Sequence, residues 1–224
     1  MNIDITGLWS QFKAVNNIVG IVTAFVSAVF GALIGAGVAL WNTRKTLAIQ
    51  QLVSNRATAS FIADKRQKWI DELRADVATH LAESQELVWK WDATRQRAAA
   101  IMADEALLLH DRAKQAQALL SEFHETSSDL VRAHRERHHR LRFRLNPEEL
   151  NHRTLRDQLD EMRTILDNAR NVENKEVAIA LLRQMERIVA QSDLLTSKIL
   201  KTEWERVKQE VAYPAEMIER IPRP

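Results

Sequence analysis

Residues 18–41 read IVGIVTAFVSAVFGALIGAGVALW, and no charged side chain occurs in these 24 positions. As a helix this stretch is about 36 Å long, enough to cross a hydrocarbon core of about 30 Å with some tilt. A buried core helix of that length without a charge is rare. A cleaved signal peptide has an apolar region of about 7–15 residues behind a basic leader. The leader here holds only Asp4 and Lys13 as charged residues. The stretch therefore predicts a retained transmembrane helix over 18–41.

The flanks set an orientation. Lys13 is the one basic residue before the span, whereas Arg44, Lys45, Arg56, Lys65, Arg66 and Lys68 follow it. Basic residues stay on the cytoplasmic side. The expected topology is a single pass through the inner or plasma membrane, with residues 1–17 as a short extracytoplasmic or interfacial segment and the C-terminal region in the cytoplasm. Trp9 and Trp41 are placed for the two interfaces, and Ile5, Leu8, Trp9, Phe12 and Val15 for one face of an interfacial helix. Within the span, Ser27, Gly31 and Gly35 recur every four residues. Small residues at that spacing let helix backbones approach closely in lipid, which makes these three the candidates for self-association.

Beyond the span, the punctuation of the chain is informative. All five glycines lie at or before Gly37, and the first of four prolines is Pro147. Glycine and proline are the main breakers of local structure, and what lies between is rich in good helix formers. Few β-branched or aromatic clusters alternate with period two, so strands are not supported. The fold class is all-α: a single transmembrane helix followed by a long-helix bundle or antiparallel coiled-coil hairpins.

Residues 42–145 are expected to form a long helical hairpin. Its first apolar stripe is Ile62, Trp69, Leu73, Val77, Leu81, Val88 and Trp91, ending near residue 97. Its second is Leu108, Leu119, Phe123, Leu130 and Leu141, with Asp104 as cap and the break placed in 92–104. A second helical pair is expected over 146–211. Asn146-Pro147-Glu148-Glu149 reads as a helix start, with Asn at the N-cap and Pro at the first position. Leu155, Leu159, Met162 and Leu166 share one face of that helix. Its partner begins near 176, with Leu181, Met185, Ile188, Leu195 and Ile199 aligned, and Leu200, Trp204, Val207 and Val211 as a second line. Residues 212–224 hold three prolines and read as a flexible tail.

Three stretches, RQKWIDELR (66–74), LNPEEL (145–150) and ILKTEWERVK (199–208), carry a resemblance. With the preceding span, the chain resembles a loose group of uncharacterised bacterial and prophage-type proteins that have one N-terminal transmembrane helix and a helical cytoplasmic region. The resemblance implies a fold and a location; it implies no activity and no site residue.

Catalysis finds no footing in the sequence. Without glycine after residue 37 the remaining chain cannot build a glycine-rich phosphate loop. There is no cysteine, hence neither a thiol nucleophile nor a Cys-type zinc site. There is no Gly-x-Ser-x-Gly elbow, and HETSS (124–128) lacks the second histidine of a zincin helix. No cofactor is expected.

The densest charge run, HRERHHRLRFR (134–144), holds three of the seven histidines. His134 and His138 have the four-residue spacing of metal ligands, but no third ligand joins them and the surrounding arginines repel a cation. Nucleic acid is disfavoured because Lys plus Arg total 32 against 30 for Asp plus Glu, and only Phe143 interleaves the arginines. Two readings remain. One is a solvated helix end, where His and Arg meet the negative end of the dipole and His134 makes a helix contact. The other is a contact with anionic lipid through Arg137, Arg140, Arg142 and Arg144. In the lipid reading the histidines gain charge between about pH 7 and 5.5.

The functional expectation is a membrane-anchored scaffold or interaction protein, acting through self-assembly as a homo-oligomer or through an unknown protein partner. The rival is a membrane-perturbing effector whose span oligomerises on a cytoplasmic signal.

Overall fold

The computed structural model describes the backbone of residues 5–169, 172 and 174–213, and side chains from Val19 onward. The interfacial face expected from Ile5 to Val15, the interface role of Trp9, and the tail from Pro214 on lie outside these side chains and residues. The described residues are all-helical: α1 (Ile5–Ala103), α2 (Leu109–Arg144), α3 (Leu150–Ala169) and α4 (Lys175–Ala212). The chain divides between Thr58 and Ala59 into two compact units.

In the first unit every residue from Val19 to Ser54 is exposed, including Phe25, Phe30, Leu33 and Ile34. By length and composition, the N-terminal part of α1 is apolar enough to cross a membrane. A helix suits such a stretch because it satisfies its own backbone where no water can. The hydroxyls follow the same rule: Thr23 Oγ1 donates to Val19 O, and Thr43 Oγ1 to Ala39 O, so neither needs an outside partner.

In the second unit the apolar stripes turn inward. Leu73, Val77, Leu81, Val88 and Trp91 of α1, Leu141 of α2, Leu155, Leu159 and Met162 of α3, and Met185, Ile188 and Ile199 of α4 belong to one core. Polar bonds fix the directions of neighbours. Ser84 meets His134, and Arg144 meets Glu72, so α2 runs opposite to α1. Gln184 bonds Glu161, Ser192 bonds Gln158, and Arg206 bonds Glu149, so α4 runs opposite to α3.

The helix ends differ from expectation in two places, for one physical reason. α1 runs on to Ala103, past the expected stop near 97. Asp104 then caps a connecting turn rather than α2: its Oδ1 accepts from Ala106 N and its carbonyl from Leu107 N. The N-cap of α2 is Leu108, which supplies no side-chain bond. Likewise α3 begins at Leu150, not at Pro147. Asn146 Oδ1 accepts from Glu148 N and Asn146 O from Glu149 N, which makes 146–149 a turn of its own. Short Asx side chains stabilise turns as readily as helix starts. Asn174 is a true cap of α4, accepting from Glu176 N at 2.7 Å.

Two stripes also need correction. Leu108 is 75% exposed and lies outside the core. On α4, Trp204 and Val211 are exposed, whereas the buried line continues through Ser192, Thr196, Glu203, Val207 and Glu210. The two buried glutamates are matched by Arg66, which reaches from α1 to Glu203 at 2.6 Å and Glu210 at 2.7 Å. Burial works against the Arg66 charge, but its bonds to Glu210 and Glu203 outweigh that and push its pKa above the ordinary value.

Candidate functional site

Helical periodicity sorts the run 134–144 into faces. His134, His138 and Leu141, at spacings of four and three, are buried. Arg137, Arg140 and Arg144 meet carboxylates of α1. Arg137 pairs with Glu83, with Asp76 3.9 Å away. Arg140 Nε lies 3.4 Å from Asp76, and Arg144 pairs with Asp76 and, at 2.9 Å, with Glu72. Arg142 turns to α3 and pairs with Asp160. All four arginines singled out for lipid are thus held by carboxylates of the same chain, and an anionic headgroup would compete with those partners. Phe143, 88% exposed, and His139 face outward.

The buried histidines gather a residue the sequence did not single out. His80 of α1 stacks on His134, with ring centroids 4.1 Å apart and planes within 14°. His138 lies 5.7 Å from His80. All three are buried. Ser84 Oγ donates its one hydrogen to His80 O at 2.7 Å and sits 2.8 Å from His134 Nε2. The His134 ring must then donate from Nε2, which assigns its neutral tautomer. His138 Nε2 faces Asp160 at 3.1 Å, and among the described residues its Nδ1 has no partner. Neither His80 nitrogen has one among them. Buried polar atoms without partners are uncommon and mark a place where something other than packing is at work.

This environment holds the imidazoles neutral. Burial, reinforced by His134, His138 and Arg137, pushes His80 down to about 2. Burial, His138 and Arg137 push His134 down to about 4. Burial also lowers His138 despite the pull of Asp160. The expectation that His134 and His138 gain charge between pH 7 and 5.5 is therefore corrected: they are inside, not on a solvated helix end. His80 was not singled out in the sequence because the groups that gather around it, His134 and His138, lie more than fifty residues away.

Beside the histidines is a cavity of about 500 Å³. Leu87, Val88 and Trp91 of α1, Phe123 and Val131 of α2, and Leu166 of α3 form its apolar walls. His134 and His138 line it as well, together with Arg132, Arg135, Arg163 and Asp167.

A second polar cluster joins α3, α4 and the turn before α3. Ligand atoms of Glu149, His152 and Glu203 lie within 4.8 Å of one another. That is cation-site spacing, but guanidinium groups already fill the cation's role. Arg206 lies 2.5 Å from Glu203 and 3.4 Å from Glu149, and Arg66 takes the other Glu203 oxygen. Burial works against the Glu149 charge, but Arg206 outweighs it and holds that carboxyl below its usual range.

The self-association candidates Ser27, Gly31 and Gly35 are exposed in the first unit. A side chain built on Gly31 or Gly35 would meet nothing within 4 Å. At about 100° per residue the three share an arc of about 100° with Ile49, Leu52 and Val53. Those three apolar side chains are 52–62% exposed, although they lie beyond the charged pair Arg44 and Lys45. Comparison with protein-family models, curated proteins and solved structures finds no match to the chain.

Proposed function

We propose that the chain is a membrane-anchored helical interaction protein that works by assembling with copies of itself, not by catalysis. Residues 18–41 anchor it in the inner or plasma membrane as a single pass, with the region beyond in the cytoplasm. The region from Ala59 on acts as a helical bundle that presents binding surfaces to a protein partner.

The observation that carries this reading is a face on α1 that runs from Ser27 to Val53 and carries one charge, Lys45, whose ammonium lies 4.1 Å over the Trp41 ring. Within a bilayer, lipid covers Phe25 or Leu33 at no cost, but it does not reward the close approach that Ser27, Gly31 and Gly35 permit. Past the basic flank the solvent is water, and Ile49, Leu52 and Val53 lie on the same arc with no cover from the described residues. A second copy packed along that face gains van der Waals contact in lipid and removes apolar surface from water beyond it.

The test is a transmembrane association assay in membranes. Gly31→Leu and Gly35→Leu place a large side chain at the seam and are expected to weaken association. Ala36→Leu, about 140° away from Gly31, is expected to leave it intact. Equal loss from all three variants, or none, rejects the face.

A further inference from the structure

We propose that the cavity between α1, α2 and α3 is a binding site for a small aromatic carboxylate. It lies wholly in residues 59–213 and rests on nothing in the assembly reading. Its size, about 500 Å³, is that of a small-molecule site. Its walls divide into two chemistries. Trp91 and Phe123 supply aromatic rings and Leu87, Val88 and Leu166 supply aliphatic contact, which together suit a flat apolar body. At the exposed edge, Arg132, Arg135 and Arg163 face one carboxylate, Asp167.

These arginines differ from their neighbours along α2. Arg137, Arg142 and Arg144 are committed to carboxylates in partly buried pairs. Arg135 has no ion-pair partner among the described residues. Among the same residues Arg132 pairs with Asp129 alone, with side chains 81% and 89% exposed, and Arg163 lies 3.8 Å from Asp167. Pairs of that kind are weak and exchange readily. The edge therefore keeps positive charge to spare, and guanidinium is the group that matches a carboxylate in two-point geometry.

The inner wall adds polar groups that packing does not use. His138 is 1% exposed, lines the cavity, and leaves Nδ1 without a partner. Ser127, 6% exposed, adds a hydroxyl. A mostly apolar cavity with a few converging polar groups is the form such sites take. A metal ion is a poor alternative occupant, because the cationic edge repels it.

Full-length protein in nanodiscs of zwitterionic lipid, titrated calorimetrically with 2-naphthoate against empty nanodiscs, tests the proposal. Saturable binding is expected. 2-Naphthamide, with the same body and no charge, is expected to bind at least about tenfold more weakly, because a charge-assisted bond is lost. Acetate, with the head and no body, is expected not to bind. Arg135→Gln with Arg163→Gln, both at exposed positions, is expected to weaken naphthoate about tenfold and leave the helical content unchanged. Val131→Trp, which fills the cavity, is expected to abolish binding. Failure of naphthoate to bind the wild type overturns the proposal, as does equal affinity in the arginine variant or for the amide. Tighter binding of decanoate than of naphthoate overturns the aromatic assignment.

Discussion

Residues 19–54 and residues 59–212 use the same helical backbone in opposite ways. In the first stretch every side chain is exposed, the large apolar ones included. In the second the apolar stripes are buried and even charged groups find cover: Glu203 and Glu210 are each 3% exposed. α1 takes part in both, so helix propensity does not distinguish them. What differs is the partner of the apolar surface. The second stretch supplies its own, from α2, α3 and α4. The first has none among the described residues; in the proposed reading lipid covers it and, past Lys45, a second copy of the chain does.

The strongest challenge to the self-sufficiency of the second stretch is Arg66→Met. Among the described residues it leaves Glu210 buried with no counter-ion and removes one of two from Glu203. Breaking a buried pair from one side costs about 3–5 kcal/mol. A loss of that order is expected in the denaturation midpoint, with Glu210→Gln in the same chain restoring part of it. An unchanged midpoint would mean that the arginine is not what permits these glutamates inside.

Acid is the next largest lever. His80 and His134 have pKa values below the unfolded value of 6.5, at about 2 and about 4. Below pH 6.5 the unfolded chain binds protons that the folded chain refuses. Stability is therefore greatest above pH 6.5 and falls as pH drops toward the folded values. Each histidine contributes about 1.4 kcal/mol per pH unit in that window, so the pair lowers stability by roughly 3 kcal/mol between pH 8 and 5.5. Thermal unfolding followed by helical signal at the two pH values checks it. Constant stability across this window would place the imidazoles in water.

The smallest expected effect sharpens the same point. The His80 ring makes no hydrogen bond among the described residues, and the bond to its backbone carbonyl survives substitution, so His80→Phe forfeits none. Stability at pH 8 is expected within about 1 kcal/mol of wild type, since loss of an unpaired polar group offsets imperfect repacking. The acid loss is expected to shrink by about half. A large loss at pH 8 would reveal a partner for the ring.

Much of the fold was legible because it is written locally. The uncharged run 18–41 and the stripes Leu73–Trp91 and Leu155–Met162 each declare themselves within a few residues, whereas the cap Asn174 reads only as part of a polar connection. Asp104 and Asn146 misled because an Asx side chain ahead of a helix serves a turn equally well, and only the backbone path decides between them. The site was less legible because it is made of distant pairs. Glu72 and Arg144 are 72 residues apart, and Ser84 and His134 are 50 apart. Arg137, Arg140, Arg142 and Arg144 looked free because their carboxylates lie on α1 and α3. The buried line on α4 was misjudged because Glu203 and Glu210 look like surface residues until Arg66 is placed beside them.

The chain has no cysteine, so single cysteines introduced between 42 and 56 report proximity without background. Oxidative cross-linking of such variants in native membranes tests the assembly face most directly. The account predicts dimer cross-links that rise and fall with the helical period, strong for Asn42→Cys, Ile49→Cys, Val53→Cys and Arg56→Cys, and weak for Leu47→Cys, Gln51→Cys and Ser54→Cys. Adding Gly31→Leu should abolish the strong set. Cross-linking that is absent, uniform along the segment, or strongest at Leu47, Gln51 and Ser54 would contradict it.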